Sequence, residues 1–179
     1  FALFSTAVAA LLLFQRRELL QTRLREEAQG TQLRALQLLD AIADGSTDVI
    51  FAKDLQGRYS FFNRAAVHFC GLRQEEVLGA DDSQLFPADE AAAIAQAEKA
   101  VVASGQVGTS EETLSTVLGP RCFLTTRGPL HDVSGKVVGV FGVAKDITER
   151  RKAEDQLLKL SLAVEQSPSA VIVTDKEGR

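Results

Sequence analysis

The chain has 179 residues, room for one ordinary domain with connecting helices but not comfortably for two. Hydrophobic residues make up 45%, which supports a sizeable core and excludes wholesale disorder, and a net charge of -4 argues against a nucleic-acid binder. The two cysteines, Cys70 and Cys122, form no CxxC pair, so neither a disulfide framework nor a structural zinc site is expected, and both read as reduced, mostly buried thiols.

Residues 1–14 are apolar apart from Ser5 and Thr6. A membrane-crossing helix takes roughly 20 such residues, so the run is expected to be the end of a longer span. Arg16, Arg17, Arg23 and Arg25 follow it, as expected for the cytoplasmic flank of a membrane span. A signal peptide would carry its positive charges before the apolar run, the reverse of the order here; a buried helix is the other alternative. The chain opens on Phe1 and contains no methionine, so a piece of a larger membrane-anchored protein is expected.

Residues 15–45 are expected to form linker helices. Gln15 to Gln29 is rich in Leu, Arg, Glu and Gln, all good helix formers. Leu13, Leu20 and Leu24 fall at heptad-like spacing, but Arg17 and Glu27 interrupt the seam, so the coiled coil is weak. Gly30 and Thr31 are expected to break the helix, and Gln32 to Ala43 to form a second one. Such helices serve either as a solvated spacer or as a dimeric rod that carries a signal.

Residues 46–148 hold the central domain. Asp48 to Asp54 and Arg58 to Phe62 are β-prone runs joined by a tight Leu55-Gln56-Gly57 turn, which predicts a hairpin. Asn63 is placed to cap a short helix, Arg64 to Phe69, ended by Gly71. Gln74 to Leu78 predicts another helical turn, and Pro87 starts a longer Ala-rich helix that Gly105 ends. Val107 to Leu114, Arg121 to Leu130 and Lys136 to Ile147 then predict three strands in a meander, with Cys122, Leu124 and Thr126 on one face of the middle one. The predicted class is α+β: an antiparallel sheet covered by helices on one face.

These residues also carry a resemblance. The run Ile50 to Tyr59, then Asn63, Cys70-Gly71-Leu72 and Glu75-Glu76-Val77-Leu78-Gly79, resembles the first half of a PAS domain. Gly128-Pro129-Leu130-His131-Asp132, Gly135 to Gly139 and Lys145-Asp146-Ile147-Thr148-Glu149-Arg150 resemble its second half, the last being similar to the PAC-type junction that links many bacterial PAS domains to a signalling helix. The resemblance implies a five-stranded sheet in the spatial order 2-1-5-4-3, a ligand cavity between sheet and helices, and flanking N- and C-terminal signalling helices. Residues 149–166 would be the C-terminal one. Residues 167–179 resemble the start of a second, truncated PAS domain, echoing the Ile50 to Arg58 run.

No catalytic constellation is present: no Walker-type loop, GxSxG elbow or HExxH. No enzyme is expected within this segment. His131 reads as an exposed bystander in a hairpin turn, and His68 as a partly buried structural residue, with haem ligation as its alternative. Haem and flavin are not expected, because the long helix carries no histidine and Asp81 to Phe86 stands where flavin-photosensing relatives place their reactive-cysteine run. No resident cofactor or metal is therefore assigned. An unknown small molecule remains open, with Phe51, Phe61, Leu78, Phe86, Leu124 and Phe141 as pocket candidates and Arg121 or Thr126 as polar anchors. The alternative is that these are simply core residues.

Asp146, Ile147 and Thr148 are the expected signal-coupling residues, with Asp146 or Thr148 capping the next helix and Glu149 at capping-box spacing from Asp146. Ala153, Leu157, Leu160 and Val164 follow a heptad seam on that helix. The expected function is sensory input and relay in a bacterial signalling protein. It would act as a homodimer through the flanking helices, held at the membrane by the N-terminal one, and upstream of an output domain in the same chain. A sensor histidine kinase of a two-component system is the leading output. A cyclic-di-GMP cyclase or phosphodiesterase, a cofactor-binding redox or gas sensor, and a ligand-free dimerisation spacer are the alternatives.

Overall fold

The computed structural model describes residues 2–165. The stretch expected to open a second PAS domain lies outside them. The described chain forms two compact units that part at Gly45. The first is one helix, α1 (Ala2–Gly45), of 44 residues. It runs straight through Gly30 and Thr31, where a break was expected. A glycine costs a helix only about 1 kcal/mol, and Thr31 fits by donating its hydroxyl back to the Glu27 carbonyl at 2.9 Å. Among the described residues no helix is long and apolar enough to cross a membrane.

The second unit begins with strands β1 (Val49–Asp54) and β2 (Tyr59–Phe62). Gly57, at φ 78°, makes the turn between them, a conformation open to glycine at no steric cost. Helices α2 (Arg64–Cys70), α3 (Gln74–Val77) and α4 (Ala88–Ser104) follow, with a short 3₁₀ turn at Asp82–Gln84. The chain then lays down β3 (Gly108–Leu114), β4 (Arg121–His131) and β5 (Val137–Asp146) and leaves through α5 (Thr148–Glu165). The sheet is five-stranded, in the order β2-β1-β5-β4-β3, with every neighbouring pair antiparallel.

Asn63 ties the first hairpin to α2. Its side-chain oxygen accepts from the amides of Ala66 (3.1 Å) and Ile50 (3.0 Å), and its amide donates to the Asp48 carbonyl. One buried side chain thus caps a helix and holds two strands.

Strand alternation sorts the sheet into two faces. The inner face carries Phe51 and Lys53 of β1, Phe123, Thr125 and Arg127 of β4, and Val140 and Ala144 of β5, all buried. The outer face carries Ile50, Phe61, Leu124, Thr126, Phe141 and Val143, none of them fully buried. The core lies between the inner face and the helices, around Phe51, Tyr59, Phe62, Ala66 and Val77.

Candidate functional site

A cavity of about 50 Å³ lies in that core. Phe51 and Phe62 from the first hairpin, Phe69 from α2, Phe86 before α4, and Phe123 from β4 form its aromatic wall, and Ala144 forms part of its sheet side. Phe69 and Phe123 meet edge to face at 5.2 Å, an arrangement that rings favour. Glu112 and Arg127 are the charged residues of the wall. Arg127 donates from Nη2 to both Glu112 oxygens, at 2.7 and 2.8 Å, and Thr125 donates its hydroxyl to the same carboxylate at 2.5 Å.

A second polar cluster adjoins the cavity. The Lys53 ammonium, 1% exposed, lies 2.6 Å from an Asp82 oxygen and 2.6 Å from a Glu98 oxygen. The Tyr59 hydroxyl donates to Asp82 at 2.7 Å, and the ammonium also sits 4.5 Å from the Tyr59 ring centre. Strand β1, the 3₁₀ turn and α4 are joined here through charge.

Burial raises the Glu98 carboxyl above its ordinary value of 4.5, against the opposing pull of Lys53. A carboxyl raised by folding holds its proton more tightly in the folded chain. Its contribution is therefore full below the unfolded pKa and is lost as pH rises through the folded one. The stability of the wild type relative to Glu98→Gln is expected to decline as pH rises from 4.5 through the raised value. Urea titrations at stepped pH check this, and a flat or rising difference would contradict it.

The exit to α5 is a compact joint. Asp146 accepts from the Thr148 amide at 2.8 Å and from its hydroxyl at 2.5 Å. The Thr148 oxygen in turn accepts the Cys122 amide of β4 at 2.9 Å, while the Ile147 amide donates to the Cys122 carbonyl at 2.8 Å. Glu149 pairs with Lys152 at 2.9 Å. Thr148→Val removes the helix-start contact and leaves the Cys122 amide without its acceptor. It is expected to cost about 1–2 kcal/mol, read by chemical unfolding. Beyond the joint, Arg150 and Arg151 of α5 both pair with Glu111 of β3.

The sequence-derived pocket candidates divide. Phe51 and Phe86 lie in the cavity wall. Phe61, Leu124, Thr126 and Phe141 do not: they sit on the outer face, because the face of β4 that turns inward is the one carrying Phe123, Thr125 and Arg127. Leu78 follows the end of α3 and is 43% exposed. Arg121 pairs with Asp146 at 3.5 Å beside the α5 joint. His68 is exposed rather than partly buried and lies off the cavity wall. Cys70 is in the wall, but burial raises its pKa, the opposite of a reactive thiol; both cysteines are half-buried.

The charged residues of the site missed at sequence level are Lys53, Asp82, Glu98, Glu112 and Arg127. A signal existed for two of them. Lys53 stands two residues after Phe51 on one strand, and Arg127 four after Phe123, so each shares its aromatic's inward face.

An antiparallel five-stranded sheet in this order, with helices over one face, an internal cavity and a helix leaving from the last strand, defines a small sensory α+β domain. The profile of the PAS fold family matches residues 43–152, and the chain belongs to that family. Its curated relatives include sensor histidine kinases and cyclic-di-GMP enzymes, which supports a signalling sensor module. The methanogenesis regulatory histidine kinase FilI of Methanothrix harundinacea is 33% identical over 72% of this chain and 15% of that protein. The cyclic di-GMP phosphodiesterase PdeR of Escherichia coli is 29% identical over 68% of this chain and 19% of that protein. Among solved structures, the PAS domain of the Cronobacter turicensis quorum-sensing receptor RpfR, in complex with C12:0, is 27% identical with a TM-score of 0.51. That match covers 57% of this chain and 96% of that domain. The chain thus spans less than a fifth of FilI and PdeR.

Proposed function

We propose that the chain is the input and relay segment of a larger signalling protein whose output is a sensor histidine kinase. The observation that carries this reading is the position of β3. Glu112 reaches inward to Arg127 in the cavity wall, and its neighbour Glu111 holds Arg150 and Arg151 of α5. A change at Arg127 thereby reaches the exit helix through adjacent residues of one edge strand. The FilI resemblance supports the kinase as output, and the PdeR resemblance supports a second reading, control of cyclic-di-GMP turnover.

Homodimerisation through the flanking helices belongs to the same proposal. Leu36 and Leu39 of α1 and Leu157 and Leu160 of α5 are 58%, 64%, 68% and 64% exposed, as unpartnered seam positions would be. Anchoring at the inner membrane through the apolar run at residues 1–14 is supported by the sequence pattern alone. Signalling is proposed to use no haem or flavin, which a purified protein without a visible absorption band would support.

The test uses the full-length protein that carries this segment. Autophosphorylation from ATP, and turnover of GTP and cyclic di-GMP, are measured for wild type and for Glu111→Gln. One of these activities is expected, changed at least about threefold by the substitution. Neither activity, or an output indifferent to Glu111, would overturn the reading.

A further inference from the structure

Arg127 has donors that the fold does not use. The residue is 3% exposed and stands in the cavity wall. Glu112 holds its Nη2, but Nε and Nη1 are buried with no hydrogen-bond partner among the described residues. Buried donors nearly always find an acceptor, and leaving a charged one without is costly. The rings of Phe51, Phe62, Phe69 and Phe123 around the cavity have no oxygen to offer, and the Tyr59 hydroxyl of the same wall is bonded to Asp82. The missing acceptor therefore comes from outside the described residues.

The charges nearby decide its class. Glu112 already neutralises Arg127, and the adjoining cluster sets two carboxylates, Asp82 and Glu98, against the single ammonium of Lys53. A further carboxylate would be buried with no cation left to balance it, at a cost of several kcal/mol. A neutral carbonyl oxygen brings its lone pairs without a charge. The cavity volume of about 50 Å³ fits an occupant on the order of two to four heavy atoms.

We propose that the cavity takes a small neutral carbonyl compound, such as an amide or ketone with a one-carbon apolar body, whose oxygen accepts from Arg127. This rests on the sensory reading above and names the chemistry of its input. The apolar body lies against the phenylalanine wall, and the oxygen completes the guanidinium that Glu112 already orients.

The probes are acetamide and acetate, which share a carbon skeleton and differ in charge. They are titrated into the intact chain while the Arg127 Nε–H resonance is followed by NMR. Acetamide is expected to bind saturably and move that resonance, with acetate at least about tenfold weaker. Arg127→Met is expected to weaken the amide at least about tenfold. Ala144→Val, which narrows the wall and leaves the Arg127–Glu112 pair intact, is expected to do the same. No saturable binding by the folded wild type, leaving water as the occupant, overturns the proposal. So does tighter binding of acetate, or equal amide affinity in Arg127→Met. If the probes fail while Glu111→Gln still alters output, the relay reading stands and only the carbonyl site falls.

Discussion

Lys53→Met is expected to destabilise the domain by about 3–5 kcal/mol, the largest loss from any single side-chain truncation described here. Methionine matches the lysine stem in volume, so packing is nearly conserved. What disappears is the cation between Asp82 and Glu98, whose oxygens lie 2.6 Å from it in a buried site. The two carboxylates would then face each other unpaired, with only the Tyr59 hydroxyl donating to Asp82. Adding Glu98→Gln to Lys53→Met is expected to recover part of the loss, because it removes one of the stranded charges. Chemical unfolding of wild type, single and double variants measures this. A loss below about 1 kcal/mol for Lys53→Met would mean that the carboxylates relax to solvent or protonate freely.

Gly139→Ala is expected to cost about 3 kcal/mol, through the backbone rather than through a side chain. Gly139 pairs with Asp54 of β1 and Leu130 of β4 in the middle of the sheet. A methyl group there would stand 2.0 Å from the Lys53 carbonyl oxygen and 3.1 Å from its carbon. Neither can swing away as a side chain could, so β1 must lift from β5 beside the Lys53 cluster. Gly30→Ala is the control: a β-carbon there meets nothing within 4 Å, and the change is expected to leave α1 unharmed or slightly more helical. Thermal unfolding compares the two, and equal melting temperatures for Gly139→Ala and wild type would contradict the clash.

The contrast between these positions shows what the sequence could and could not convey. Strand and helix order was legible because it is local. Turn glycines, the Asn63 cap and apolar alternation each act over a few residues, and the five strands fall where those signals put them. The Thr148 joint was legible for the same reason. The site was not, because it depends on which face of each strand turns inward. On β4 the more apolar-looking set, Cys122 and Leu124, faces outward, while Arg127 is drawn inside by the acid at Glu112 on the neighbouring strand. The Lys53 cluster brings together residues 29 and 45 positions apart, a distance no local pattern spans. α1 was misjudged in the other direction: a glycine and a threonine read as punctuation, yet the surrounding helix formers outweigh them.

The brevity of the joint between β5 and α5 has a consequence in angle. Ile147 alone separates the last strand from the helix, and its amide is pinned to β4. The azimuth of α5 is therefore indexed to the sheet like a gear on a keyed shaft. Each residue inserted after Thr148 turns the Leu157 and Leu160 face by about 100°. One insertion would carry those leucines to the flank of the helix, and two nearly to its far side. Seven would bring them back to within about 20° of where they began, roughly 10 Å further along the axis.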